Sequence, residues 1–100
     1  MTLCEATAIR IEELLKERNM KLYHLEKKSG ILHGTMACIM KRKNKDITLS
    51  KIMMIAKGFD MSFMDFLNAP VFLSENIEYE YWQKIWKQRL RKILDFIENS

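Results

Sequence analysis

Proline occurs once in this chain and glycine three times. So few chain-breaking residues leave long uninterrupted stretches, a composition that favours helix over sheet. Cysteine is nearly as scarce: Cys4 and Cys38 have no metal-ligand spacing and form no plausible disulfide framework, as expected of a reduced, cytoplasmic protein. No stretch approaches the roughly 18 uncharged apolar residues of a membrane span. The opening Met1-Thr2-Leu3-Cys4-Glu5 has an early acid and no apolar core of signal-peptide length, so neither export nor membrane insertion is expected. A glycine-rich phosphate loop is missing too, as is any nucleophile, base and orienting group at recognisable spacing. An enzyme is therefore not expected, nor a cofactor.

What is present is positive charge, unevenly placed. The net charge of the 100 residues is +4. Met1 to Pro70 carries twelve Lys and Arg against eight Asp and Glu, whereas Val71 to Ser100 carries five against five. The whole excess lies in the front segment, which points toward nucleic acid or another acidic surface. A solvated basic face is the plainer explanation for an excess this small. A unit of about 60 to 70 residues buries only about 60% of its unfolded surface, so the front segment is expected to gain stability from the last third.

Hydrophobic periodicity divides the front segment into five helices. Ala8, Ile11, Leu14 and Leu15 recur at helical spacing between about Ala6 and Arg18, with Asn19 as a left-handed stop. A second helix of about two turns over Lys21 to Ser29 turns Leu22 and Leu25 inward and Tyr23, His24, Lys27 and Lys28 outward, and ends at Gly30. Ile31 to Arg42 forms the third, with Met36, Ile39 and Met40 on its apolar side. Thr48 is a good N-cap for Leu49 to Gly58, whose core candidates are Ile52, Met53, Ile55 and Ala56, with Gly58 as its stop. Ser62 with Asp65 resembles a capping box opening a fifth helix through Asn68, which buries Phe63, Phe66 and Leu67. Asn68-Ala69-Pro70 closes the domain.

The third helix carries the functional signal. Its second face consists of His33, Gly34, Ala37, Cys38 and Lys41, and is nearly free of bulk. Small residues let a helix backbone approach another surface closely, and the Lys41-Arg42-Lys43-Asn44-Lys45 run that follows supplies cations for phosphates. A two-turn helix, a short glycine-containing turn and such a helix have the spacing of a helix-turn-helix. Of the groove-facing set only His33 offers a sharp polar contact. Ala37 and Cys38 suit thymine methyl groups, so phosphate contacts and DNA shape are expected to carry much of the binding.

The succession Ile11-Glu12-Glu13-Leu14-Leu15, Leu22-Tyr23-His24-Leu25, Lys28-Ser29-Gly30-Ile31, His33-Gly34-Thr35-Met36, Ile39-Met40, Thr48-Leu49-Ser50-Lys51-Ile52 and Ile55-Ala56-Lys57-Gly58 resembles the Cro and phage-repressor type (Xre family) helix-turn-helix. The resemblance covers roughly Ala8 to Leu67. It implies a five-helix domain acting as a dimeric transcriptional regulator on double-stranded DNA, with the start of the second helix on phosphates and the third in the major groove. On matching positions it implies Tyr23 as a phosphate contact, His33, Gly34, Ala37 and Cys38 toward base edges, and Lys41, Lys43, Asn44 and Lys45 on the backbone; Thr35 and Arg42 complete the DNA-binding set. Three positions depart from the family pattern. Leu32 stands where a polar cap is usual, Leu22 where glutamine is usual, and Met40 where an acid often pairs with an arginine such as Arg10.

Other chemistries for these residues have less behind them. His33 with Cys38 or His24 does not make a metal site, because the spacing shares no helical face well and a fourfold ligand set is missing. Oxidation of Cys38 would block access to the groove, yet only distant Cys4 is available as a resolving partner. The eight methionines fall mostly at apolar helix positions, as soft core filler.

Past Pro70, Val71-Phe72-Leu73 is a short apolar connector, and Ser74 can cap a long helix to about Glu98. Tyr79, Trp86 and Ile93 repeat at seven, as do Leu90 and Ile97, with Trp82 and Phe96 alongside. Each such side chain is worth about 1.5 to 3 kcal/mol when fully buried, so this helix must dock: on its own domain, on the same helix of a second subunit, or on another protein. Glu75, Glu78 and Glu80 precede Lys84, Lys87, Arg89, Arg91 and Lys92, so an antiparallel pair sets acid against base, although the pattern also suits the helix dipole. The acidic first third argues against a membrane surface.

The expected architecture is therefore all-α: a five-helix repressor-type helix-turn-helix domain over residues 1–70, followed by a long C-terminal amphipathic helix within residues 71–100. The expected function is a cytoplasmic, sequence-specific DNA-binding regulator, a homodimeric repressor reading the major groove with helix 31–42. Tyr79, Trp82, Trp86, Leu90, Ile93 and Ile97 are its dimerisation residues. The alternative is a protein-interaction module, such as an antitoxin or adaptor, whose C-terminal helix binds a protein partner.

Overall fold

The computed structural model describes residues 1–73, 76–77 and 82–99, with side-chain surroundings in the last stretch from residue 89 onward. Every element among the described residues is helical: α1 (Leu3–Glu17), α2 (Leu22–Ser29), α3 (His33–Met40), α4 (Leu49–Gly58), α5 (Phe63–Leu67), a 3-10 turn over Pro70–Phe72, and α6 (Trp82–Glu98).

Local chemistry sets these boundaries. α1 begins at Leu3 rather than near Ala6, because the Thr2 hydroxyl accepts the Glu5 amide at 3.1 Å and starts the helix a turn early. Its end follows the expected left-handed Asn19, at φ 50°. The Met20 amide then reaches the Leu15 carbonyl at 2.8 Å and the Asn19 amide the Lys16 carbonyl at 3.3 Å, which is a Schellman motif. α3 and α4 close the same way through Arg42 and Asp60, at φ 57° and 56°. The matching bonds are Lys43 to Cys38 at 3.2 Å and Met61 to Ala56 at 3.1 Å. Helix ends that use non-glycine left-handed residues explain how so many helices form with so little glycine.

α3 is shorter than the expected Ile31 to Arg42. Ile31 and Leu32 precede it, with Leu32 as its extended N-cap, and Lys41 and Arg42 form its closing turn. α4 has the expected bounds, with Thr48 accepting the Lys51 amide at 3.3 Å. Ser62 likewise accepts the Asp65 amide at 3.0 Å to open α5. The apolar stretch after residue 69 is not a loose connector: the Pro70–Phe72 turn packs on α1, and the Phe72 ring lies 5.8 Å from that of Phe66. A continuous helix from Ser74 is also not what forms. Asn76 lies in a 3-10 turn, its amide on the Leu73 carbonyl at 2.8 Å, Ile77 is buried and non-helical, and α6 is described over Trp82–Glu98. Ser74 and Tyr79 lie outside the described residues.

The core joins Cys4, Ile11 and Leu14 of α1 with Leu25, Met36, Ile39, Ile52, Ile55, Phe59 and Phe66. Met53, expected in it, is 52% exposed because the Ile52–Ile55–Ala56 stripe already faces inward and leaves Met53 beside it, beyond the edge of its arc. Phe59, just past the helix end, takes a core place instead. Two arginines, Arg10 in α1 and Arg18 at its C-cap, fasten the later helices. Arg10 donates to the α5 carbonyls of Phe66 at 2.8 Å and Asp65 at 3.1 Å, and Arg18 donates to the Phe59 carbonyl. With Met40 in place of an acid, Arg10 thus caps a helix C-terminus.

Gly58 does not act as a stop. It is the last residue of α4 and buried where α4 crosses α2, and a Cβ there would lie 2.8 Å from Leu25 Cδ1 and 2.9 Å from Ser29 Cβ. The absent side chain is what allows the two helices to meet. Gly58→Ala should therefore destabilise the fold by about 1–3 kcal/mol, as overpacking does, measured by urea unfolding. Wild-type stability in that variant would contradict this packing.

Candidate nucleic-acid interface

α2 and α3 are joined by three residues. Gly30 takes the left-handed conformation at φ 78°, and the Ser29 hydroxyl accepts the Ile31 amide at 3.2 Å. Buried Ile31 then anchors the turn, so α3 leaves at a fixed angle. α1, α4 and α5 each have a hydroxyl cap, whereas the N-caps of α2 and α3, Lys21 and Leu32, make no side-chain capping bond. The two helices of this unit therefore present their first amides uncapped, and such amides attract anions.

Met36 and Ile39 bury one side of α3. On the other, His33, Gly34 and Lys41 are exposed and Ala37 and Cys38 half-buried, so the low-bulk face expected from the sequence is outward. Thr35, expected among the DNA-binding residues, is half-buried in a shallow groove with Gly30, Ile31, Leu32, Lys51 and Met54. A Cβ on Gly34 would meet nothing within 4 Å, so nothing among the described residues requires glycine there. Tyr23, in the first turn of α2, is exposed, with the Lys27 ammonium 4.4 Å from its ring centroid and the His24 ring edge-on at 5.3 Å.

The basic loop is held rather than loose. The Lys45 carbonyl accepts the Cys4 amide at 3.0 Å, tying the loop to the first turn of α1. The Cys4 thiol contacts the Ile39 carbonyl at 3.7 Å, and burial pushes its pKa up, so it remains a thiol. Arg42 pairs with Glu12 of α1 at 3.3 Å and donates to the Met40 carbonyl at 3.3 Å, which fixes the left-handed turn. Lys41, Lys43, Asn44 and Lys45 are exposed around that anchor. Elsewhere Lys28 is committed to Asp60, and that contact holds the Asp60 carboxyl below the usual carboxylate range. Among the expected phosphate cations, Arg42 is thus shared with an internal ion pair.

One feature of this surface has no counterpart in the sequence pattern. Glu26 of α2 holds the His33 ring, with Nδ1 at 3.0 and 3.2 Å from its two carboxylate oxygens. The two residues lie seven apart but on different helices with the Gly30 turn between them, so helical periodicity does not relate them; only the crossing of the two helices makes them neighbours. Among the described residues no three His, Cys, Asp or Glu side chains group to hold a metal, and no described helix is long and apolar enough to cross a membrane.

A short helix, a left-handed glycine turn and a second helix with an outward low-bulk face beside an anchored basic loop define a helix-turn-helix DNA-binding protein. A family model for the Cro/C1-type HTH DNA-binding domain matches residues 10–70, and the chain belongs to that family; it is a DNA-binding regulator. No curated protein and no solved structure matches it.

Gly34 separates folding from binding. Gly34→Ala should leave stability unchanged or raise it by up to about 1 kcal/mol, since alanine is the better helix former. The same change should weaken DNA binding, because the added methyl lies on the outward face. Thermal unfolding and fluorescence anisotropy with duplex DNA measure the two; unchanged affinity would show that Gly34 does not meet DNA.

Proposed function

We propose that the protein is a homodimeric transcriptional repressor that places α3 in the major groove of a two-fold symmetric operator. The observation that carries this is the outward set His33, Gly34, Ala37 and Cys38 flanked by the exposed, α1-anchored lysine loop. In this reading the uncapped starts of α2 and α3 and the Lys41, Lys43 and Lys45 ammonium groups take phosphates, Tyr23 adds a phosphate contact, and α3 meets base edges. Residues 1–70 read DNA and residues 71–100 couple two such units in the cytoplasm. Repression in this reading means that a dimer occupying its operator excludes other proteins from it.

Dimerisation is supported by α6. Leu90, Ile93, Leu94, Phe96 and Ile97 are exposed, Phe96 at 75%, and apolar residues at these spacings need a covering surface. Trp82 and Trp86 lie on the same helix, with side chains outside the described surroundings. One α3 has few polar groups for base edges, whereas two held about one DNA turn apart multiply their contacts. The same exposed stripe supports the second reading, a protein-interaction module whose α6 grips a different protein.

Two measurements test this. Replacing Lys41, Lys43 and Lys45 with alanine should weaken binding to all duplexes and reduce the log-log salt slope by about 0.9 for each phosphate that is no longer neutralised; an unchanged slope would remove the loop from the interface. Light scattering after gel filtration should give a dimer at micromolar concentration. Leu90→Glu with Ile93→Glu should turn it into a monomer whose DNA affinity is at least about tenfold weaker, the scale of linked binding sites. A wild-type monomer would leave the protein-partner reading in its place.

A further inference from the structure

We infer that Glu26 is a positioning residue for base readout: it fixes the tautomer of His33, so that the imidazole offers an acceptor to an exocyclic amine of adenine or cytosine. The inference rests on the reading of α3 as the groove-entering helix. The His33 side chain is 84% exposed and that of Glu26 14%, so a nearly buried carboxylate grips an otherwise solvated ring. Both carboxylate oxygens lie within hydrogen-bond distance of Nδ1, at 3.0 and 3.2 Å. A carboxylate only accepts, so the proton of the neutral ring lies on Nδ1 and the lone pair on Nε2. Among the described residues Nε2 has no partner, and it lies on the ring edge away from Glu26, on the outward side of α3.

The consequence is a choice of base. In the major groove guanine shows only acceptors at N7 and O6 and thymine shows O4, whereas adenine N6 and cytosine N4 carry donors. An Nε2 acceptor pairs with the amines and repels the carbonyl and ring-nitrogen acceptors. A histidine without the carboxylate adopts mainly the other tautomer, with hydrogen on Nε2, and favours guanine instead. Ala37, Cys38 and Gly34 supply no competing polar group, so the direction of this one hydrogen bond decides the base opposite His33. The seat also spares binding the cost of ordering the ring.

Two experiments on the full chain separate this from the reading beneath it. Long-range 15N–1H correlation of the imidazoles at mildly alkaline pH, in free protein, should show His33 protonated on Nδ1. Glu26→Ala should restore the Nε2-protonated form, and Glu26→Gln, which keeps the shape and can donate as well as accept, should give a mixture. An Nε2-protonated wild-type ring overturns the inference whatever the protein binds. Selection from random duplex DNA should then give a motif with adenine or cytosine at one position of each half-site. That preference should fall by roughly two- to tenfold, the worth of one hydrogen bond, in Glu26→Ala and in His33→Ala, with other positions unchanged. A motif that neither variant alters overturns the readout, and failure to enrich any motif removes both the readout and the operator-binding reading.

Discussion

The crossing of α2 and α4 at Gly58 is the constraint on which the rest depends. A Cβ there would lie 2.8 Å from Leu25 Cδ1 and 3.1 Å from the Ser29 amide nitrogen, at the last turn of α2. Ser29 and Gly30 then make the turn, so the placement of the α2 end is inherited by α3. The Lys28–Asp60 pair lies beside the same crossing and joins α2 to the turn after α4. From the other side α1 fixes the far end of α3, through the Cys4 amide on the Lys45 carbonyl and Glu12 on Arg42. α3 is thereby held at both ends.

That division accounts for the charge distribution. Arg10 of α1 caps carbonyls of α5, Arg18 at the end of α1 donates to the Phe59 carbonyl that follows α4, and Arg42 and Lys28 are in ion pairs. Exposed ion pairs contribute little stability each, so their effect is mainly on where the turns lie. The net excess of the front segment is thus a poor guide to the DNA-facing surface. The placement of Lys41, Lys43 and Lys45 on an anchored loop next to α3 is a better one.

Much of the fold is legible in the sequence because helix ends have local signatures. The Thr48 and Ser62 hydroxyls, Asn19 and Gly30 all sit where their chemistry demands, and α2 ends as its sequence implies. Residues with two physical uses are harder to read. Gly58 has the composition of a terminator and serves as a crossing point, while the terminating left-handed residue is Asp60, two positions later. The Thr2 cap lies ahead of the apolar stripe, which begins only at Ala8, so periodicity alone starts α1 too late. Met53 shares helical spacing with the core residues but sits at the edge of their arc. At the interface, the outward set on α3 is visible from the absence of bulk, whereas the Glu26 seat depends on the crossing of two helices, which no local pattern encodes. In the tail, apolar periodicity suggests one long helix, and the bonding of Asn76 with burial of Ile77 interrupts it before α6.

Whether α3 and its lysine loop form the DNA surface is tested most directly by amide chemical-shift mapping during titration with an enriched duplex. The largest changes should fall at His33, Gly34, Ala37, Cys38 and Lys41 to Lys45, with smaller ones at the start of α2. Changes confined to α4, α5 or α6, with the α3 amides unmoved, would contradict that placement.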